Sequence, residues 1–206
     1  MTAQLASVGI VGAGKSGIAL ATLLTEAGVT VSLGSRDPHS PRFNDAPCPV
    51  TSLSEAMQHE TIVLSLPHSA IEATLAFAAP EPGAIVIDTA NAVDFSTPGQ
   101  ITSALPIPHG RWLQRLLPQV RVTRAFSHVQ DELLVSRAHR QPGTWAVAVA
   151  GDDDEAVDIT SDLVHAASYV PVVIGDLDAS APLDPGGSLF PNMFLSEDMR
   201  RLVRAM

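Results

Sequence analysis

The chain of 206 residues holds one cysteine, Cys48, only 4% aromatic side chains, and 12 Lys and Arg against 22 Asp and Glu. Each shortage excludes something. A lone cysteine rules out an internal disulfide and a thiolate metal site, and it fits a reducing compartment. Scarce aromatics leave little with which to stack nucleic-acid bases. A formal net charge of −10 and a pI near 4.9 disfavour nucleic acid and anionic membranes as partners. No apolar run is long enough to span a bilayer, and no charged region followed by a long apolar one marks a secretory leader. The expectation is a soluble, cytoplasmic protein with a small-molecule partner, and with no nucleic acid and no membrane.

What is present begins with residues 8–17, Val-Gly-Ile-Val-Gly-Ala-Gly-Lys-Ser-Gly, which fit two phosphate-binding patterns at once. From Gly12 they read G-x-G-x-x-G (Gly12, Gly14, Gly17), the turn that cradles a dinucleotide pyrophosphate. From Gly9 they read G-x-x-x-x-G-K-S (Gly9, Gly14, Lys15, Ser16), a nucleoside-triphosphate loop. Both hold anions with backbone N–H groups and a helix N-terminus. They differ in where the first strand stops. The triphosphate pattern needs a strand ending before Gly9, in residues poor in large apolar side chains, and it puts Ile10 and Val11 inside the loop. The dinucleotide pattern lets the strand run to Val11 and turn at Gly12, with a helix from Lys15 and a helix stop at Gly28. A possible magnesium-binding strand at residues 85–88 keeps the rival open. The dinucleotide pattern fits the strand–turn–helix–strand spacing better.

Which dinucleotide is read at the end of the second strand. An Asp or Glu there accepts from the ribose 2′-hydroxyl of NAD. This chain has Gly34-Ser35-Arg36, a hydroxyl and a guanidinium fork suited to a 2′-phosphate, so the cofactor expected is NADP(H). The alternative is a solvated Arg36 in a turn, with Asp37 facing the ribose.

Strand-like and helix-like segments alternate with 46% hydrophobic content, enough for a sizeable core. Residues 7–11, 29–33, 49–51, 61–66, 83–88 and 120–125 read as strands, and residues 52–59, 69–79 and 112–117 as helices. Ser52 with Glu55 forms a capping-box pattern. Continuous apolar strands belong in a parallel sheet covered on both faces, and the alternation predicts a doubly wound α/β fold. Past Phe126 the character changes to a strand at 145–150, a helix opening on Gly-Asp-Asp-Asp-Glu at 151–155, a strand at 170–174, a Gly/Asp/Pro-rich stretch, and a helix from Ser196. The expected organisation is a nucleotide-binding domain over 1–124 and a small C-terminal α+β domain over 125–206. The aspartate run invites a metal, but acidic residues at a helix start cap it and complement its dipole, so no metal is assigned.

No Ser/His/Asp or Lys/Tyr constellation is evident from spacing. His68, just past a strand's carboxyl end where ligands lie in such sheets, and His128, after the sixth strand, are the candidate catalytic proton donors for a ketone or imine. His109, His139 and His165 read as surface residues, and Asp88 as a strand-end residue. Asn91 suits either a carboxamide or substrate oxygen, or a turn.

In this order the chain carries the glycine turn, Gly34-Ser35-Arg36, an apolar strand ending Leu66-Pro67-His68, Asp88-Thr-Ala-Asn91, Arg124-Ala-Phe126 and Gly151-Asp-Asp-Asp-Glu-Ala156. It resembles the NADP oxidoreductases dependent on the deazaflavin coenzyme F-420, whose nucleotide domain is also similar to that of the STEAP membrane ferric reductases. The likeness covers roughly residues 8–176. It implies a Rossmann domain binding NADP(H), a small C-terminal domain, a homodimer, and hydride transfer between nicotinamide and deazaflavin. Carried over by position, Gly12, Ala13, Gly14, Lys15, Ser16 and Gly17 would surround the pyrophosphate, and Ser35 and Arg36 the 2′-phosphate. Leu66, Pro67 and His68 would pass beside the cofactor, with Ala90 and Asn91 near the nicotinamide. Two segments depart from the family. Ala125-Phe126-Ser127-His128 stands where Ala-Phe-Asn is common, and residues 175–187 replace a Gly-Pro-Leu stretch with its downstream Arg and Leu-Glu. They leave the second substrate open between deazaflavin and a small carbonyl or imine metabolite. A non-catalytic NADP(H)-sensing module is the third reading.

Overall fold

The structure, a computed structural model, describes residues 7–206. Its elements in chain order are β1 (Val8–Val11), α1 (Lys15–Glu26), β2 (Val31–Ser35), β3 (Val50–Ser52), α2 (Leu53–Ala56), β4 (Thr61–Leu64), α3 (His68–Phe77), β5 (Ile85–Asp88), a two-stranded hairpin of β6 (Val93–Asp94) and β7 (Thr102–Ser103), α4 (His109–Leu116), β8 (Arg121–Arg124), α5 (Asp131–Arg140), β9 (Trp145–Gly151), α6 (Asp154–Ala166), β10 (Val170–Gly175), β11 (Phe194–Leu195) and α7 (Ser196–Ala205). The main sheet runs β10-β9-β8-β5-β4-β1-β2-β3. From β3 to β8 all neighbours are parallel. The order reverses at β1, where β2 lies on one side and β4 on the other, which creates the crevice such sheets use for ligands.

The strands are apolar and buried because helices cover both faces. One layer packs Leu20, Leu24 and Tyr169 against Ile10, Val63 and Ile87. The other packs Met57, Ile71 and Leu113 against Val11, Leu64 and Val122. The fold class expected from the sequence is the one found. Ser52 caps α2, its Oγ accepting from the Glu55 N–H at 3.2 Å while the Glu55 carboxylate accepts from the Ser52 N–H at 2.9 Å.

The expected domain boundary falls at the end of β8, and the sheet continues past it. β9 adds antiparallel to β8 through Arg124↔Ala150, β10 adds parallel to β9, and β11 pairs antiparallel with the start of β9. A third apolar cluster, with Ala146, Ala148, Leu183, Leu189 and Met199, fills this end. Of the aspartate run, Asp153 caps α6 by accepting from the Ala156 N–H at 2.9 Å, and Asp152 pairs with Arg111. Among the described residues no helix is long and apolar enough to cross a membrane.

Candidate active site

The two phosphate patterns separate on β1. Gly9 lies inside the strand, where an added Cβ would stand 1.9 Å from the Ala56 carbonyl oxygen. It is a packing glycine beneath α2, not the start of a phosphate loop. The strand runs on to Val11 and turns at Gly12, whose φ of +116° and whose contact with Ser65 O, 2.1 Å from an added Cβ, both demand glycine. A Cβ on Gly17 would meet Gly12 O at 1.9 Å, so this residue sets the close approach of α1 to the turn. Gly14 differs. An added Cβ there meets nothing within 4 Å, and Gly14 caps α1 with no side-chain acceptor and no acidic residue in the first turn. The first N–H groups of α1 are thus left for an anion, in a field that favours one.

Gly12, Ala13 and Gly14 open on a cleft of about 980 Å³ that also takes in Ser35, Arg36, Leu66 and Pro67. Seven of the residues expected at the cofactor therefore share one cavity. Ser35 is buried at the end of β2, and its Oγ accepts from the Asp37 N–H at 3.2 Å, which leaves the hydroxyl hydrogen free to donate. Arg36 is exposed at the rim. A second guanidinium, Arg42, lines the same cleft and lies 4.3 Å over the Phe43 ring. Neither is ion-paired to a carboxylate among the described residues, and two free cations at the end of β2 suit a 2′-phosphate. Nothing in the sequence near Arg42 marks it, because only the fold of the segment after β2, with a 3-10 turn over Pro41–Phe43, brings it to the cleft. Lys15 points to solvent, 3.8 Å from Glu132, and both side chains are more than three-quarters exposed.

Around the N-terminus of α1 lies a smaller hollow of about 90 Å³, lined by Ser16, Thr89, Asn91, Phe126, Ser127 and Asp131 among others. Asn91 is held on two sides. Its Oδ1 accepts from Arg124 Nη2 at 3.0 Å, and its Nδ2 donates to Ser127 O at 2.7 Å. Phe126 carries a φ of +61°, rare for a large side chain, where β8 ends. Ser127 is 4% exposed and its Oγ has no hydrogen-bond partner among the described residues.

Beneath the hollow is a charge network that the sequence does not announce. Arg124 is fully buried. Its Nη1 donates to Asp88 Oδ2 at 2.7 Å and to Ala90 O at 2.8 Å, and its Nη2 to Asp184 Oδ1 at 2.6 Å. Asp88 also accepts from the Ala90 N–H and from His109 Nδ1, the latter at 2.7 Å. Burial would raise the Asp88 carboxyl, but His109 and Arg124 outweigh it and hold the group below the usual carboxylate range. Ala90 is thus part of the framework under the hollow.

The histidines need correction on three counts. His109 is not a surface residue: it is 1% exposed, bonded to Asp88, and its backbone N–H donates to Asp184 at 3.1 Å. His68 does not line the cleft. Its Nδ1 lies 3.0 Å from His109 Nε2, its ring packs on Trp112, and burial followed by His109 lowers its pKa. With Asp88 ionised, His109 donates to it through Nδ1, and one proton lies between His109 Nε2 and His68 Nδ1, donated by whichever ring carries it. His128 is not available as a proton donor. Its Nδ1 donates to Asn192 O at 2.9 Å, its Nε2 accepts from the Ala148 N–H at 3.1 Å, and burial pushes its pKa down to about 4. It is a neutral tie between β9 and the segment before β11. His139 and His165 are exposed, as expected.

Known proteins are similar to this chain, above all in its nucleotide-binding half. Residues 7–92 match the family model described as NADP oxidoreductase coenzyme F420-dependent. The metalloreductase STEAP3 of Rattus norvegicus is 26% identical over 179 residues, which is 86% of this chain but 35% of that protein, so the chain spans about a third of the relative's length. A hypothetical protein, SMa0349, from Sinorhizobium meliloti superposes with a TM-score of 0.82 at 25% identity over 93% of this chain and 96% of that one. A protein from Arthrobacter sp. FB24, described as a candidate F-420-dependent NADP reductase, superposes with a TM-score of 0.72 at 24% identity, over 85% of this chain and 87% of that one; at that identity it speaks for the fold. The resemblance read from the motifs therefore holds over residues 7–92, where this chain matches the coenzyme F-420-dependent NADP oxidoreductases.

Proposed function

We propose that the chain is an NADP(H)-dependent oxidoreductase that passes hydride between NADPH and the deazaflavin coenzyme F-420. One observation carries the NADP part: the glycine turn, Ser35, Arg36 and Arg42 all line a single cleft of about 980 Å³. The residues suit the dinucleotide. Gly14 leaves space where a Cβ would otherwise project, and the start of α1 offers uncapped N–H groups to a pyrophosphate. Ser35, Arg36 and Arg42 would hold the 2′-phosphate, and Leu66 and Pro67 would form the wall of the cleft. Ser16 and Asn91 would approach the nicotinamide end.

When bound, the dinucleotide supplies the hydride. The chain's own part is to bind, orient and exclude water. Backbone N–H groups fix one end, the guanidiniums neutralise the added phosphate, and the rigid Arg124–Asp88 framework sets the wall behind Asn91. No buried acid or base is called for when two rings exchange hydride directly, which agrees with His128 being locked between backbone groups.

A second reading, reduction of a small carbonyl or imine, is favoured by the hollow, whose roughly 90 Å³ is closer to a small head group than to a deazaflavin. The test is a spectrophotometric assay of protein and NADPH with and without the deazaflavin. Bleaching of the deazaflavin absorbance supports the first reading. NADPH oxidation only with carbonyl or imine acceptors supports the second. Tight NADPH binding with no turnover of any acceptor leaves a sensing module, and no NADPH binding at all refutes the proposal.

A further inference from the structure

We propose that His68 and His109 form a shared proton-binding site, whose one added proton cancels the surplus negative charge of the buried Arg124 network and makes the charge behind Asn91 depend on pH. The proton site stands on the ligand-free structure alone. Its consequence for the cofactor rests on the oxidoreductase reading and deepens it, by naming a regulation of the same site.

The charges under the hollow do not balance. Arg124 is one guanidinium, and it meets two buried carboxylates, Asp88 and Asp184. Asp88 Oδ1 accepts from the Ala90 N–H, and its Oδ2 from Arg124 and His109. Asp184 Oδ1 accepts from Arg124, and its Oδ2 from the His109 backbone N–H. A proton on Asp184 would face donors alone, and one on Asp88 would lie on the bond to His109. One negative charge is thus left over in a site shielded from water, where an unmatched charge is strongly disfavoured. The histidines are the neutral groups in contact with the network that can supply the missing positive charge.

The pair has one open position for that proton. His109 Nδ1–H donates to Asp88, and a second hydrogen lies between His109 Nε2 and His68 Nδ1. His68 Nε2 has no hydrogen-bond partner among the described residues, and its half-buried ring gives the proton a way in. Trp112 packs on both rings and favours a cation there. Of the other charged groups, Glu72 stands on α3 with His68 and favours its charged form, while Arg111 on α4 is engaged by Asp152 and Asp178. Burial and then His109 lower the pKa of His68, against Asp88 and Glu72, so uptake falls below about pH 6.5. Burial raises Asp184, which makes it the rival holder of the proton. Arg124 Nη2 bonds both Asp184 and Asn91 Oδ1, so the change in charge reaches the lining of the hollow. An oxidised nicotinamide ring is positively charged and a reduced one is not. NADP+ therefore gains over NADPH above the uptake, and the gain is lost below it.

The imidazole and side-chain amide nitrogen resonances of the ligand-free protein are followed from about pH 8 to about pH 5 in wild type and His68→Phe, which keeps a ring on Trp112 and removes the open nitrogen. The expected result is one titration shared by His68 and His109, with the Asn91 amide moving at the same midpoint in wild type and not in the variant. Rings that stay neutral while the Asp184 carboxyl carbon titrates would overturn the proposal, as would an Asn91 amide indifferent to the pair. Affinities for NADP+ and NADPH are then measured over the same range. Their common 2′-phosphate titrates near about pH 6 and cancels in the ratio. The preference for NADP+ should fall roughly three- to tenfold on acidification in wild type and stay level in His68→Phe. A level ratio in wild type would break the link to the cofactor. If neither nucleotide binds, the NADP reading falls, while the resonances decide the proton site by themselves.

Discussion

Arg124 and Asp88 form an ion pair at 2.7 Å with both side chains wholly buried, and this pair ties the carboxyl ends of β8 and β5 together under the candidate active site. A buried pair is costly to form and costlier to break, since removing one partner strands the other. Here the guanidinium answers two carboxylates, Asp88 and Asp184, so Arg124→Met would leave two acids and an unfilled Asn91. The expected loss is about 3–5 kcal/mol in urea unfolding. The exposed Arg201–Asp198 pair is a suitable control, worth ~1 kcal/mol or less. Equal costs for the two would show that the buried network carries no special weight.

In the cleft past the end of β2 the Arg36 and Arg42 guanidiniums are exposed and should act on affinity alone. Arg36→Ala is expected to weaken NADPH binding by roughly 1.5–3 kcal/mol, the range for a charge-assisted contact, and to leave NADH nearly untouched. Arg42→Ala should act in the same direction, because both side chains line the cleft. Calorimetry with both nucleotides checks this, and a matching loss of NADH affinity would show that the pair grips something other than the 2′-phosphate.

His128 makes stability depend on pH in a defined window. Its folded pKa of about 4 lies below the unfolded value of ~6.5, so the unfolded chain takes up a proton first as pH falls. The contribution is complete above about pH 6.5 and is lost progressively as pH drops through about 4, amounting to ~3 kcal/mol across that interval. Urea unfolding of wild type and His128→Gln at several pH values is the measurement. The variant should be less stable at pH 7 and show a shallower slope between pH 6.5 and 4. An unchanged slope would mean that other groups set it.

These residues also show which features the sequence makes legible. The glycine turn and the Ser52 cap are readable because their contacts lie within a few positions, so residue type and spacing carry the signal. The tie between two phosphate patterns could be weighed from strand composition, and the packing of Gly9 against Ala56 resolves it. α5 is harder to see, since Leu133, Leu134 and Val135 bunch together instead of recurring every three or four residues. The Arg124 network is invisible because Asp184 reaches His109 across 75 positions and Arg124 across 60, with no local pattern to mark it. His109 reads as a surface residue for that reason: a polar residue after Pro-Ile-Pro is usually exposed, and only tertiary contact buries it.

The second and third glycines of the turn should separate fold from function. Gly17→Ala puts a methyl 1.9 Å from a backbone oxygen that cannot move without displacing the Gly12 turn, so loss of folded protein is expected. Gly14→Ala has a φ of −84°, which alanine adopts without strain, and an open side towards the cleft. Its melting temperature should stay close to wild type, while NADPH affinity falls at least tenfold as the methyl enters the space a pyrophosphate would need, a change of ~1.4 kcal/mol or more. Circular dichroism melts and fluorescence titration with NADPH measure the two effects separately. If Gly14→Ala bound NADPH as wild type does, the phosphate would have to lie elsewhere than over the start of α1.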